Sequence, residues 1–568
     1  MKKIYIILIL SGIFLNGHPT YASNSKKQYS SHNTSNYFSG VILSNKNDNE
    51  KAFKHLNKVK LLKNEHFQYN IEFIRILVLL KKFDQAFNFS REVWKEDDYF
   101  FEADLLLGLE NFVKKDYINA EKYFKRLNKA SKHNLFFNDF IANVLLSWTK
   151  ASQKDINSSF QYINSTPKPF HRLKKTQSVF LNCYFDTSET LASYKELIND
   201  TDYNFSRYNF FLANYLLSKN KNLEASKITK NIDKEYETNL LIKQTQKFLL
   251  NKNFFKIKNF FSCKNPKDTL AEFFYIMSNL YSSEYNYELS NFYLQISLFL
   301  NKNFLSNKTL LAENYYFQKK YELSKNVYES IKVIGPVYYW HASKSIAKIL
   351  LQIKSKKHAI KYLEEAFNSL PDKSFEHYYE LANFYKNQNY YKESIKYYSL
   401  TLDRIKKNHP LIPVILDRRG TSFERVDDWE SAEKDLKNSL KILPNQAHVL
   451  NYLAYTWIDK GINLKKGLKM LEKAAQLKEN DGYIIDSLGW AHYLNKNYIE
   501  AELYLKKAVE LMPSDPIIND HYADTLWMLN KNIQARYFWN YILSLENIED
   551  ELKDHINKKL FFGINKQL

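Results

Sequence analysis

The sequence predicts an all-α protein, a right-handed superhelical solenoid of antiparallel helix pairs, on three observations. Small residues occur in pairs twelve positions apart, the pairs recur every 34 residues over much of the chain, and Gly and Pro, 11 of each in 568 residues, are too few for many strands and long loops. The length also exceeds the roughly 250 to 300 residues at which a single hydrophobic core stops growing, so several domains or a stack of units is required.

Gly482–Asp515 shows the unit in full. Numbered from one, it places Leu488 and Gly489 at seven and eight, Ala501 at 20, Leu505 at 24, Ala508 at 27 and Pro513 at 32. Small residues at eight and 20 let two antiparallel helices approach, the one at 27 lets the next unit dock, and Pro ends the second helix. That is the tetratricopeptide pattern. The phase continues through Ala523 and Ala535 in 516–549, through Ala454, Gly467 and Ala474 in 447–481 once one inserted residue near Gly461 is allowed for, and through Gly420, Ala432, Ser439 and Pro444 in 413–446. It persists through 375–408 (Ala382, Ser394), 340–373 (Ala347, Ala359), 305–338 (Ala312, Ser324) and 271–304 (Ser278, Ser290). A generic helix bundle keeps a period of about 3.6 but none this long. Nearer the amino terminus Gly40 with Ala52, Ile74 with Ala86 and Gly108 with Ala120 keep the same separation, as do Ala213 and Ala225.

The expected organisation is an export signal over 1–22, a flexible polar leader over 23–36, amino-terminal repeats over 37–134, degenerate helical repeats over 135–270, a regular array over 271–549 and a capping helix over 550–568. The signal is read from Lys2 and Lys3, the apolar run Ile4 to Leu15, and Thr20-Tyr21-Ala22 as a small-residue cleavage site. That run is shorter than the ~20 residues a membrane span needs, so no transmembrane segment is expected in the mature chain. The layout points to a bacterial periplasm or cell envelope, without a lipidation Cys near the cleavage site. In the tail, Leu552, Ile556 and Leu560 sit at four-residue spacing and are expected to cover the last repeat.

The formal net charge of +20 comes from lysines spread along the whole chain, with no dense basic run interleaved with aromatics, so surface lysines and no nucleic-acid partner are expected. Cys183 and Cys263 are the only cysteines; a bond between them and two free thiols both remain open. Phosphate loops, nucleophile elbows and zinc motifs are absent from the sequence. His521 with Asp520 and Asp524 has the spacing of a metal or base site, but without a third ligand or a nucleophile it reads as a packed helix residue. No catalytic residue, metal or cofactor is assigned.

Function is expected on the first helices of the repeats, which line the concave face at positions two, five, nine, 12 and 13. In the first part of the array these positions give Tyr275, Tyr316, Lys344, Lys348, Tyr379 and Lys386, a Tyr-rich stripe that turns basic. In the second they give Asp417, Tyr455, Asp486, Trp490, Asp520, Asp524 and Trp527, an acidic stripe with aromatics. A basic or amide-rich segment of a partner suits the second stripe. Asp486 and Asp520 can equally stabilise the first turns of their helices. A second reading, from the Tyr-lined groove and the positive charge, is a module that binds cell-wall glycan or another envelope polymer.

The runs Asn451 to Gly461, Asp481 to Trp490, and Asp515 to His521 with Asp524 and Trp527 resemble the carboxyl-terminal repeats of large exported tetratricopeptide proteins of proteobacteria, and Tyr37-Phe38-Ser39-Gly40 onward is similar to their amino-terminal repeats. Some members are outer-membrane lipoproteins that hold a carboxyl-terminal processing protease and its cell-wall hydrolase substrates. The resemblance implies a non-catalytic scaffold or adaptor in the envelope whose partners are other proteins, an envelope protease or cell-wall hydrolase among them. The missing lipidated Cys departs from that pattern.

Overall fold

The computed structural model describes residues 30–130, 138–167, 170–200, 205–230, 239–546 and 548–564. Among these residues there are 31 α-helices and no strand. The expected export signal lies outside the described residues, as does the leader up to residue 29. The rest of that leader is helical: Ser31–Asn45 is a helix whose amino-terminal cap, Ser30, accepts the Asn33 N–H at 3.2 Å, and Asn36 is buried with its amide oxygen 2.9 Å from His55 Nδ1.

Helices follow one another as hairpins, and the hairpins are held by the small residues that set the sequence register. Gly489 lies directly under Leu505; a Cβ there would stand 2.6 Å from Leu505 Cγ, so only a bare Cα fits the crossing. Ala432, Ala454, Ala501, Ala523 and Ala535 are fully buried at equivalent crossings, Ala508 is fully buried in the same cluster as Ile518 of the next repeat, and Gly420 is buried beside Ala432. Where the register carries serine, the hydroxyl finds an acceptor on the opposite helix: Ser290 donates to the Ser278 carbonyl at 2.8 Å and Ser324 to the Ala312 carbonyl at 2.7 Å. Pro513 follows the end of Tyr498–Leu511, and its carbonyl accepts from the Asn519 amide at 3.0 Å.

A second periodicity lies in the backbone. Single residues with left-handed φ close the first helix of nearly every hairpin, at Asn47, Lys81 and Lys115, again at Asp186 and Asn220, at Tyr285 and Lys319, at Asp427 and Gly461, and at Lys496 and Asn530. Lys154 and Lys252 mark two more in the stretch expected to be degenerate. There the hairpins Asn138–Ser152 with Ile156–Asn164 and His171–Phe185 with Thr190–Ile198 persist although the small-residue motif has faded. The left-handed conformation lets the amide of that residue and the next bond back to the carbonyls of the last turn. In the hairpin at Lys496 those bonds are Lys496 N–H to the Tyr493 carbonyl at 2.8 Å and Asn497 N–H to the His492 carbonyl at 2.9 Å.

The chain forms two compact units, divided between Ile349 and Leu350. The first returns upon itself. Phe83 stacks on Phe299 with ring centroids 4.5 Å apart, Gln318 donates to Asn47 Oδ1 at 3.1 Å, and Arg207 pairs with the fully buried Glu272. Cys183 and Cys263 are joined in a disulfide with both residues buried, which decides the alternative the sequence left open. Closing a loop of 80 residues, the bond stabilises the unit by about 4 kcal/mol on the chain-entropy account. The expected array over 271–549 is divided by the Ile349–Leu350 boundary, and the second unit holds its part from Leu350 onward followed by the helix Asp550–Phe562, whose Ile556 is fully buried with Leu552 and Leu560 packed beside it.

A non-glycine residue pays a steric penalty for left-handed φ that glycine does not, so Lys496→Gly is expected to raise the stability of the second unit by about 0.5 to 1 kcal/mol in denaturant unfolding. An Ala at the same position is expected to give no such gain.

Candidate partner-binding face

In the first unit the expected face does not form one open surface. Tyr275 is half-buried, with the Arg207 guanidinium 4.5 Å above its ring and Phe304 edge-on at 5.9 Å. Burial, countered by Arg207, raises its hydroxyl pKa. It lines a cleft of about 430 Å³ with Arg172, Thr176 and Asn279, but its ring packs against the unit's own Arg207–Glu272 pair. Tyr316 is half-buried edge-on to Tyr321 at 5.6 Å. Lys344 is half-buried, its Nζ 6.0 Å from the Trp340 ring, and Lys348 is exposed near Glu313, whose carboxyl burial raises and Lys348 partly restores.

In the second unit the first helices Phe375–Asn387, Ile412–Glu424, Ala447–Asp459, Gly482–Leu494 and Pro516–Met528 carry the face. Tyr379, Lys386, Asp417 and Tyr455 are all half-buried on it. Burial pushes the Lys386 ammonium down and Asp417 pulls it back up, while Arg418 and Arg425 depress it further. The Asp417 carboxyl is pushed up by burial and drawn back by Lys386, Arg418 and His448. These residues thus form one electrostatic cluster spanning three successive helices. Arg418, which the sequence reading did not single out, joins it to the aromatics: its guanidinium lies 5.5 Å from the Tyr379 ring and donates to Asn383 Oδ1, which also accepts the Tyr398 hydroxyl at 2.7 Å. Burial raises the Tyr455 hydroxyl, and Asp459 and Asp486 add to the shift. Between these groups, Asn451 Oδ1 is buried without a hydrogen-bond partner. The face therefore runs from cations at Lys386, Arg418 and Arg425 to carboxylates at Asp459 and Asp486.

The acidic end is less open than the stripe predicts. Asp486 is 7% exposed and receives His521, whose Nδ1 lies 3.0 and 3.1 Å from its two oxygens. Trp490 stacks on the His521 ring at 3.9 Å and on Tyr493 at 4.5 Å. His521 thus turns to the preceding repeat, away from its sequence neighbours Asp520 and Asp524. Those two are 8% and 6% exposed and share Lys559 of the terminal helix, with Nζ to oxygen distances of 2.7 to 2.8 Å, while the Trp539 indole N–H donates to both at 3.1 and 3.2 Å. Trp527 donates to the Ile564 carbonyl at 3.1 Å. First-turn capping belongs to other residues: Asp481 accepts the Ile484 N–H at 3.4 Å, and Asp515 accepts those of Ile517 and Ile518 at 3.0 and 3.1 Å. Lys559 escaped the sequence reading because a lysine in a lysine-rich tail carries no pattern. Among the described residues no group of three His, Cys, Asp or Glu side chains gathers to hold a metal ion, and no helix is long and apolar enough to cross a membrane.

Residues 376–405 match the tetratricopeptide repeat family. The match covers the hairpin that carries Tyr379, Asn383 and Lys386. A TPR repeat-containing protein of Pseudomonas aeruginosa is 27% identical over 169 residues, which covers 30% of this chain and 28% of that protein's length. Among solved structures, yeast Tom70 is 16% identical with a TM-score of 0.35, covering 80% of this chain and 94% of that one. MamA from Desulfovibrio magneticus RS-1 is 18% identical with a TM-score of 0.28, covering 32% and 98%. Proteins built of tetratricopeptide repeats are generally non-catalytic and bind other proteins.

Burial and then the neighbouring Asp520 raise the Asp524 carboxyl to about 7, against the opposing pull of Lys559 and His521. A carboxyl raised on folding holds its proton more tightly in the folded chain, so its contribution to stability is full below its unfolded value of about 4 and is lost as pH rises through the folded one. Amide-exchange protection of Asp550–Phe562 is therefore expected to fall about tenfold or more between about pH 5 and about pH 8, and Asp524→Asn to flatten that dependence.

Proposed function

We propose that this chain is a non-catalytic scaffold or adaptor of the bacterial cell envelope that holds other proteins on the first-helix face of its second unit. The observation that carries the reading is the row from Lys386, Asp417 and Arg418 through Asn451 to Tyr455. Its charged and aromatic side chains are half-buried and its Asn451 acceptor has no hydrogen bond within the chain. An unmet buried acceptor costs about 1 to 3 kcal/mol, which a partner's N–H recovers on binding. Tyr and Arg at such positions supply contact area and directed hydrogen bonds at small entropic cost. The change of sign along the row suits a partner segment that is acidic at one end and basic or amide-rich at the other.

The envelope assignment is supported by the features of an export signal in residues 1–22 and by the Cys183–Cys263 disulfide, since such bonds persist in oxidising compartments. The resemblance to exported tetratricopeptide adaptors makes an envelope protease or a cell-wall hydrolase the first partner class to seek.

The test is crosslinking in cells with tagged full-length chain, followed by mass spectrometry, comparing the wild type with Lys386→Glu/Arg418→Glu. A defined set of proteins is expected from the wild type, reduced about tenfold or more by the double reversal. Equal recovery from both chains would rule out this face, and recovery of cell-wall polymer with no protein would replace the adaptor with a polymer-binding module.

A further inference from the structure

We propose that the tip of the hairpin formed by Leu240–Leu250 and Phe254–Phe260 docks on an anionic phospholipid surface, with Leu250 and Phe255 entering the headgroup layer while Lys247, Lys252, Lys256 and Lys258 meet the lipid phosphates. The inference concerns the first unit and makes no use of the second-unit face assigned to protein partners above.

Lysines are spread along the whole chain, but this hairpin concentrates them to a density that the chain-wide average conceals. From Thr238 to Lys267 the sequence holds seven lysines and neither Asp nor Glu. Lys247, Lys252, Lys256 and Lys258 are exposed, and none of their ammonium groups is paired with a carboxylate among the described residues. Asp268, the acid that follows the stretch, is turned inward, where it accepts the Ser262 N–H at 2.8 Å and the Asn265 amide at 2.9 Å. The turn between the two helices is tight: Lys252 has φ of 54°, and the Asn253 N–H returns to the Phe248 carbonyl at 2.7 Å. On either side of that turn stand two apolar side chains that the unit leaves uncovered, Leu250 at 63% and Phe255 at 72% exposure.

The inner side of the hairpin is fixed in place. Ile257 is fully buried and its carbonyl accepts the Asn214 amide at 3.1 Å, the Phe260 carbonyl accepts the Asn301 amide at 2.9 Å, and the disulfide at Cys263 ties down the segment that follows. The tip is thus presented without any rearrangement. An exposed apolar residue just after the turn is not by itself the signal, because Ile118 and Ile499 hold the same place after the left-handed Lys115 and Lys496. Those two, however, stand beside Asp116 and Glu500, whereas every charge flanking Phe255 is positive. An uncovered ring among unpaired lysines fits a bilayer surface, where the ring lies at the headgroup boundary and each lysine contributes about fivefold to partitioning. A soluble polyanion answers the lysines alone and leaves both apolar side chains in water.

The test is cosedimentation of the full-length chain with vesicles of phosphatidylglycerol and phosphatidylcholine in equal parts, against vesicles of phosphatidylcholine alone. Tighter partitioning to the anionic vesicles is expected, weakening as salt rises. Lys252→Glu/Lys256→Glu is expected to lower it about tenfold or more, while Lys434→Glu/Lys441→Glu, an equal change of net charge on exposed lysines of the second unit, leaves it near the wild type. Phe255→Ser, which keeps every charge, is expected to lower it about threefold or more. All five substituted side chains are exposed, so the variants are expected to keep the wild-type fold, which thermal unfolding checks. Equal partitioning of the wild type to both kinds of vesicle, or an equal loss from the second-unit reversal, overturns the proposal. So does a Phe255→Ser chain that binds as the wild type does, since the lysines then serve a polyanion without apolar contact. Because the face around Lys386 and Arg418 is untouched in every variant, partner crosslinking there stands or falls separately.

Discussion

Everything in this structure depends on one steric constraint, the crossing of two helices over a position without bulk. At Gly489 the second helix of the hairpin passes so close that Leu505 occupies the space of a side chain, and buried alanines do the same from Ala432 to Ala535. Because the crossing recurs at a fixed separation, each hairpin buries one face against the next, and its first helix has polar and aromatic positions left over. The left-handed residue that ends nearly every first helix completes the constraint, since it turns the chain by satisfying the last carbonyls rather than by adding a loop.

The same scaffold is put to two uses. In the first unit the leftover positions are consumed internally: Tyr275 meets Arg207, Arg207 meets Glu272, and Phe83 meets Phe299 far along the chain. A disulfide fastens the unit further. In the second unit the corresponding positions from Tyr379 to Tyr455 form a half-buried charged row, and closure is confined to the end, where the terminal helix brings Lys559. The difference lies in what the side chains meet, not in the repeat that presents them.

Much of this was legible in the sequence because the crossing is written in single residues. Gly489, Ala501 and Ala508 named the hairpin, and Leu552, Ile556 and Leu560 named the cap. The hairpins between 138 and 198 were not legible in detail, because the crossing pair of the first, Ser147 with Ser159, keeps the twelve-residue separation but falls out of the 34-residue phase of Gly108 and Ala120; there the Ser147 hydroxyl donates to the Ser159 carbonyl. The candidate face was legible by position but not by partner. Position in a repeat says which way a side chain leaves the helix, yet nothing local says that Asp520 and Asp524 will meet a lysine some 35 residues on, or that His521 will turn back to Asp486. Long-range pairing of common residues leaves no periodic trace.

The most direct test of the central claim, that the first-helix face of the second unit holds other proteins, is site-specific photo-crosslinking in living cells. A photoreactive residue is placed at Thr421, between Asp417 and Arg425, and in a second strain at Leu503 on a second helix, where the side chain is 67% exposed. The account predicts discrete higher-mass protein adducts from Thr421 and none from Leu503. Adducts from Leu503 alone would contradict it and move the working surface to the opposite side of the hairpins.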